Sequence, residues 1–258
     1  MRVCSDRLVV ALALGIVGCA DAEHSVPLET LVERTVVAMG GDSALGRIES
    51  VWRQRNERMF TLRKRPDLHL VVLLNGSGGI RYAEGFDGEQ AWELENDGPK
   101  VQASERARIA LWHTTQFPSV LYPLSRMEDL GHELELMPPD TVDGVVYHRV
   151  LLRLSDGFER SYYINPDTYR IERARDVRRF HAYEEEIQPI EGIWSDFRPI
   201  DGVWVPFTSG ERNYETGERL SGGTLRQVRF NIPISDDVFS LGGDLGPFLQ
   251  LISELTRG

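Results

Sequence analysis

Cysteine is almost missing from this chain of 258 residues: Cys4 and Cys19 are the only two, both within the first nineteen positions. Beyond that leader no internal disulfide is possible, so stability must come from a packed core. Long apolar runs are scarce too. Leu8 to Gly18 is unbroken, but its eleven residues fall short of the roughly twenty that a membrane-spanning helix needs. Basic charge is in deficit, with 29 Lys and Arg against 40 Asp and Glu. Nucleic-acid affinity comes largely from neutralised phosphates, so this balance argues against a nucleic-acid partner. It argues equally against holding anionic lipid by surface charge alone. The His residues at 24, 69, 113, 132, 148 and 181 show no His-x-His or His-Glu-x-x-His spacing. No metal site and no cofactor is therefore expected. His69, His113 and His181 stand at the edges of predicted elements, where a solvated imidazole is the default, and His148 reads as a hydrogen-bonded core residue.

Catalytic patterns are also lacking. Gly41-Asp42-Ser43-Ala44-Leu45 has Leu where a nucleophile elbow needs its last Gly, and a helix precedes it where a strand should. Asn75-Gly76-Ser77-Gly78-Gly79 lacks the Lys of a phosphate-binding loop. Glu184-Glu185-Glu186 and Asp236-Asp237 read as solvated charge at turns. No catalytic residues are assigned, and a non-enzymatic role is expected.

What is present begins with the leader. Arg2 and Arg7 precede the apolar run, and small polar residues follow it, the form of a signal peptide. Ile16-Val17-Gly18-Cys19 resembles the lipobox, whose Cys takes a diacylglycerol before the new amino terminus receives a fatty acid such as palmitate. Residues 1–18 are thus expected to be a lipoprotein signal, Cys19 the attachment site and 19–27 a tether. More than one acyl chain makes such an anchor stable. The alternative is an ordinary cleaved signal ending near Ala20-Asp21-Ala22, with Cys19 incidental. Without residues 1–18 the chain carries 27 basic and 39 acidic residues, a formal charge of −12. Ala20, where an inner-membrane-retained lipoprotein has Asp, favours an outer-membrane location facing the periplasm.

Residues 28–258 read as one domain. Leu28, Leu31, Val32, Thr35, Val36 and Met39 have helical spacing, and Gly40-Gly41 stops them. Strand patterns follow from Ile48, with turns at Asn75–Gly79 and Asp87-Gly88. A helix is predicted over Ser104–Thr115, continued by a Pro-bounded apolar segment through Leu124, and Pro138-Pro139 marks a loop. From Val145 the signal is almost wholly strand. Spacing is too short for parallel crossovers, so the expected fold is mainly β with helices (α+β), an antiparallel meander. A small amphipathic helix closes the chain from Gly246.

Four stretches carry a family resemblance: Val37-Ala38-Met39-Gly40-Gly41-Asp42-Ser43-Ala44-Leu45, Tyr162 to Ile171 around Asn165-Pro166-Asp167-Thr168, Trp194 to Phe207 around Ser195-Asp196-Phe197-Arg198 and Asp201-Gly202-Val203, and Asn231 to Phe239. In this order they resemble the outer-membrane lipoprotein-sorting superfamily, the carriers and receptors of lipoprotein localisation. The resemblance implies an incomplete antiparallel β-barrel with helices plugging its concave side and an apolar hollow that receives acyl chains, which Trp92, Leu111, Trp112, Phe117 and Leu121 would wall if they do not simply fill a closed core. An anchored chain departs from the family's soluble carrier, and the receptor's membrane-inserting loop is not identifiable here. The resemblance leaves three readings: a lipid-anchored protein holding an acyl-chain ligand, a structural or sensory module binding an envelope protein, and an envelope hydrolase with dispersed carboxylates.

Overall fold

The computed structural model describes residues 26–256. The leader 1–18, Cys19 and most of the tether lie outside the described residues. The first helix, α1 (Leu28–Ala38), starts at Pro27, whose φ of −56° suits a helix entry, and buries Leu31, Thr35 and Val36. Gly41 N–H closes it by donating to the Val36 carbonyl at 2.9 Å, while Gly40 takes a φ of 125°. A Cβ on residue 40 would lie 2.5 Å from the Gly202 carbonyl oxygen, so this stop is glycine for room as well as for backbone freedom.

A short turn, α2 (Asp42–Leu45), leads into β1 (Ser50–Gln54), β2 (Met59–Lys64), β3 (Leu68–Leu74), β4 (Ile80–Phe86), β5 (Ala91–Glu95) and the two-residue β6 (Val101–Gln102). All pair antiparallel in chain order. Ser104 then caps α3 (Glu105–Gln116) by accepting from Ala107 N–H. Next come β7 (Glu133–Val142), β8 (Val145–Arg153), β9 (Glu159–Ile164), β10 (Ile171–Arg178), β11 (Gln188–Ile200), β12 (Val203–Asn213) and β13 (Arg219–Thr224), a second seven-stranded meander. The chain then steps back: β14 (Gln227–Phe230) pairs with β1, and α4 (Gly246–Thr256) follows. At the step, Leu225 N–H donates to Phe207 in one sheet and Arg226 N–H to Gln54 in the other. Neither sheet closes, so the architecture is an open antiparallel β-barrel with helices, the α+β class that the strand pattern indicates.

Two features differ from the sequence expectation. Pro138 and Pro139 lie inside β7, where the register shifts between Met137 and Asp140. A bulge on an edge strand is where the sheet can do without two N–H donors. The other concerns the first sheet's two faces. Trp52, Phe60, Leu62, Leu70, Val72, Trp92 and Leu94 lie on its outer side, and Val238, Phe239, Leu245, Phe248 and Ile252 of the C-terminal segment pack onto them. Helices therefore occupy both sides of this sheet, not only the side turned toward the second sheet.

Candidate functional site

The first sheet's inner face alternates with that apolar one, and it mixes buried apolar side chains such as Val51 and Phe86 with polar and charged ones. Cross-strand register places Arg53 opposite Thr61 and Val51 opposite Arg63, and Arg63 in turn opposite His69. The second sheet answers with Arg160 and Tyr162 of β9. Between the sheets, under α1, the end of α3 and the loop after it, lies a cavity of about 220 Å³. One water needs only about 10–15 Å³, so the space suits something larger. Val36, Met39, Leu45, Phe117, Val120 and Leu124 supply apolar wall, while Arg53, Arg63 and Arg160 bring three guanidiniums to the same space.

These cations are poorly matched. Arg160 Nε lies 3.4 Å from Asp176 and its guanidinium faces the Phe117 ring at 4.3 Å. Burial works against its charge, but Tyr162, Asp176 and Glu211 outweigh it and its pKa rises. Arg63 donates to the Thr115 carbonyl at 3.0 Å. Arg53 Nε is buried with no hydrogen-bond partner, as is the Tyr162 hydroxyl. Burial, followed by repulsion from Arg55 on Arg53 and from Arg53 on Arg63, lowers both to about 10, which leaves them charged at neutral pH. His69, expected at a solvated edge, is buried within β3. Burial, then Arg63 and Arg53, press its pKa to about 3, so it is neutral and adds no charge.

The five apolar candidates separate. Phe117 lines the cavity. Leu121 packs beside it with Val36, Val51 and Val205. Leu111 and the half-buried Trp112, on α3, meet Phe86 and Ala91 of the first sheet. Trp92 is on the opposite side of that sheet, its Nε1–H donating to the Phe239 carbonyl at 2.6 Å. Arg53, Arg63 and Arg160 escaped the sequence reading because an Arg alternating with apolar residues in a strand signals solvent by default. Only the partner sheet makes that face interior. His132 is a structural imidazole, bonded to Gln116 and to the Ser155 N–H. Among the described residues no group of three or more His, Cys, Asp or Glu is placed to hold a metal ion, and no helix is long and apolar enough to cross a membrane.

Three of the four motif stretches meet beside the cavity, to whose lining they give Met39, Ile171 and Phe197. Trp204 N–H donates to the Met39 carbonyl at 3.0 Å, beside the Gly40–Gly202 contact. Arg170, which follows the Asn165 turn, stacks on Trp204 at 4.0 Å and on Phe197 at 5.2 Å. Its Nε reaches the Ala38 carbonyl at 3.4 Å. Asn231 accepts from Glu49 and Ser50 N–H and donates to the Arg47 carbonyl, pinning the return of the chain beside β1. These motifs thus hold helix, hairpins and sheets in register; none of them contributes the arginines.

No family model matches the sequence, and no curated protein matches it. Solved structures do match the fold. A DUF1329 family protein from Desulfovibrio piger superposes with a TM-score of 0.53 at 13% identity, over 83% of this chain and 97% of its own. A LolA superfamily protein from Nitrosomonas europaea superposes with a TM-score of 0.51, also at 13% identity, over 84% of this chain and 98% of its own. Two open seven-stranded antiparallel sheets, helices against them and this overlap give the chain the fold of the LolA superfamily.

Proposed function

We propose that this chain is a non-enzymatic, lipid-anchored protein of the cell envelope that holds a hydrophobic, acyl-chain ligand between its two sheets, with residues 28–258 acting as a single domain. The cavity of about 220 Å³ with its apolar wall carries this reading. Each methylene moved from water onto such a wall gains ~0.8 kcal/mol, so six of them gain about 5 kcal/mol. The leader and Cys19 support an anchor, and Ala20 supports an outer-membrane place facing the periplasm. Such a tether would confine the domain to one membrane and distinguish its role from that of a diffusing carrier.

Thr114, on α3, lines the cavity and is half-buried, so a larger side chain there enters the space without opening a core. Thr114→Trp is expected to weaken binding of an environment-sensitive fluorescent fatty acid at least tenfold while the thermal midpoint stays within a few degrees. Unchanged binding would place the ligand elsewhere. If solubilised envelopes yield a stoichiometric protein partner and no lipid, the sensory-module reading takes precedence. Mass spectrometry of the mature amino terminus tests the anchor: a triacylated Cys19 is expected, and an unmodified Cys19 or a free Ala20 rules it out.

A further inference from the structure

A hydrophobic pocket has no use for three guanidiniums unless something answers their charge. The protein itself does so only in part. Asp176 pairs with Arg160 but is shared with Arg178, which lies 3.1 Å from its other oxygen. Asp67 acts on Arg63 electrostatically, without forming an ion pair among the described residues. Arg53 makes no ion pair among the described residues, and Arg55, a further cation, opposes its charge. Elsewhere the same chain matches its arginines closely: Glu191, fully buried, collects Arg173, Arg175 and Arg212 at 3.1, 2.9 and 2.6 Å. Within the cavity the balance is reversed, in a chain whose net charge is −11.

The surplus donors are of the right kind for an oxyanion. Guanidinium presents paired N–H groups in a fork that matches carboxylate and phosphate, and it is the less hydrated of the two basic side chains. Arg53 and Arg63 come from adjacent strands and Arg160 from the facing sheet, so donors approach from two sides. Gly192 leaves room there: a Cβ on it would meet the Trp194 ring at 3.0 Å and Arg160 Nη2 at 3.3 Å. A second cavity of about 160 Å³ shares Arg53, Trp194 and Pro206 with the first, which puts Arg53 at the junction of two spaces.

We propose that Arg53, Arg63 and Arg160 receive the anionic head group, a carboxylate or phosphate, of a single-chain amphiphile whose tail lies along the apolar wall of the same cavity. The head group enters the interior and supplies the missing counter-charge, while the Tyr162 hydroxyl gains an acceptor. This inference rests on the hydrophobic-ligand reading and narrows it to acidic lipids.

The test compares palmitate with hexadecanol, which keeps the chain length and loses the charge, both below their aggregation limits and competing with a fluorescent probe on the mature protein. Palmitate is expected to bind at least tenfold tighter. Arg53→Gln and Arg63→Gln should each reduce that preference at least fivefold. Arg53→Lys, which keeps charge but loses the fork, should retain part of it. Equal binding of the two lipids by the native protein overturns the head-group site while the hydrophobic-ligand reading stands. Binding of neither removes both. Acetate or inorganic phosphate displacing the probe at concentrations comparable to palmitate would mark a small-anion site and overturn the lipid assignment. The native comparison decides the matter even if a variant fails to fold.

Discussion

Replacing Trp92 with Ala is expected to lower the stability of the fold by about 3–5 kcal/mol. The indole is fully buried beneath the C-terminal segment, with Lys100 Nζ over its face at 4.0 Å. Truncation removes that packing, and it also leaves the Phe239 carbonyl without its donor, whose bond is 2.6 Å long. The neighbouring strand is adapted to the ring. Gly85 lies directly opposite Trp92 across β4 and β5, and a Cβ there would run into the indole. The space left by Trp92→Ala therefore has no side chain on residue 85 to move into it. Urea unfolding checks the magnitude, and fatty-acid binding by the folded fraction checks the placement. A ligand-wall tryptophan would lose binding with little loss of stability; a core tryptophan does the reverse. A change below about 1 kcal/mol, under the usual range for a buried aromatic, would contradict the packing described for the outer face.

Glu191→Gln should produce the second large effect. Its carboxylate is wholly buried on β11 and is held by Arg173, Arg175 and Arg212, whose side chains are 12%, 23% and 32% exposed. Removing one member of a buried charged group leaves its partners uncompensated, at a cost of about 3–5 kcal/mol. Partial exposure lets water screen the arginines, and Asp143 remains 2.7 Å from Arg173, so a loss near 3 kcal/mol, the lower end of that range, is expected. The pair Arg198–Asp196 provides the control, since its side chains are 51% and 40% exposed. Breaking that one should cost no more than about 1 kcal/mol. Thermal and denaturant midpoints of the two variants, measured side by side at neutral pH, test the contrast. Equal effects would mean that the Glu191 network is no stronger than a surface pair.

The two predictions differ in how the residues could be recognised beforehand. Trp92 is conspicuous in sequence, and its burial is no surprise; the side of the sheet on which it is buried is. Glu191 belongs to a strand whose pattern mixes charge with apolar residues, so its complete burial has no local sign. Both depend on what another part of the chain brings to the same place: residues 232–256 in one case, arginines from β10 and β12 in the other.

Local chemistry decided a good deal. The spacing of Leu31, Thr35 and Val36 and the Gly40-Gly41 stop determine α1, and Ser104 sets the start of α3. Asn165 turns the chain by accepting from Asp167 and Thr168 N–H, and Asp201-Gly202 reverses it between β11 and β12 at positive φ. These are short-range effects, so the antiparallel meander and the α+β class follow from the sequence itself. Strand alternation also tells which residues of one strand share a face, such as Phe60 with Leu62 and Thr61 with Arg63. It does not tell what covers each face, because cover comes from residues far away in the chain. Tertiary structure decided that the apolar face would be closed by the C-terminal helix and that the arginine face would look into a cavity. An arginine on a strand costs little in water and much in an interior. Local sequence does not distinguish those cases; the partner sheet does, and with it the chemistry of the site.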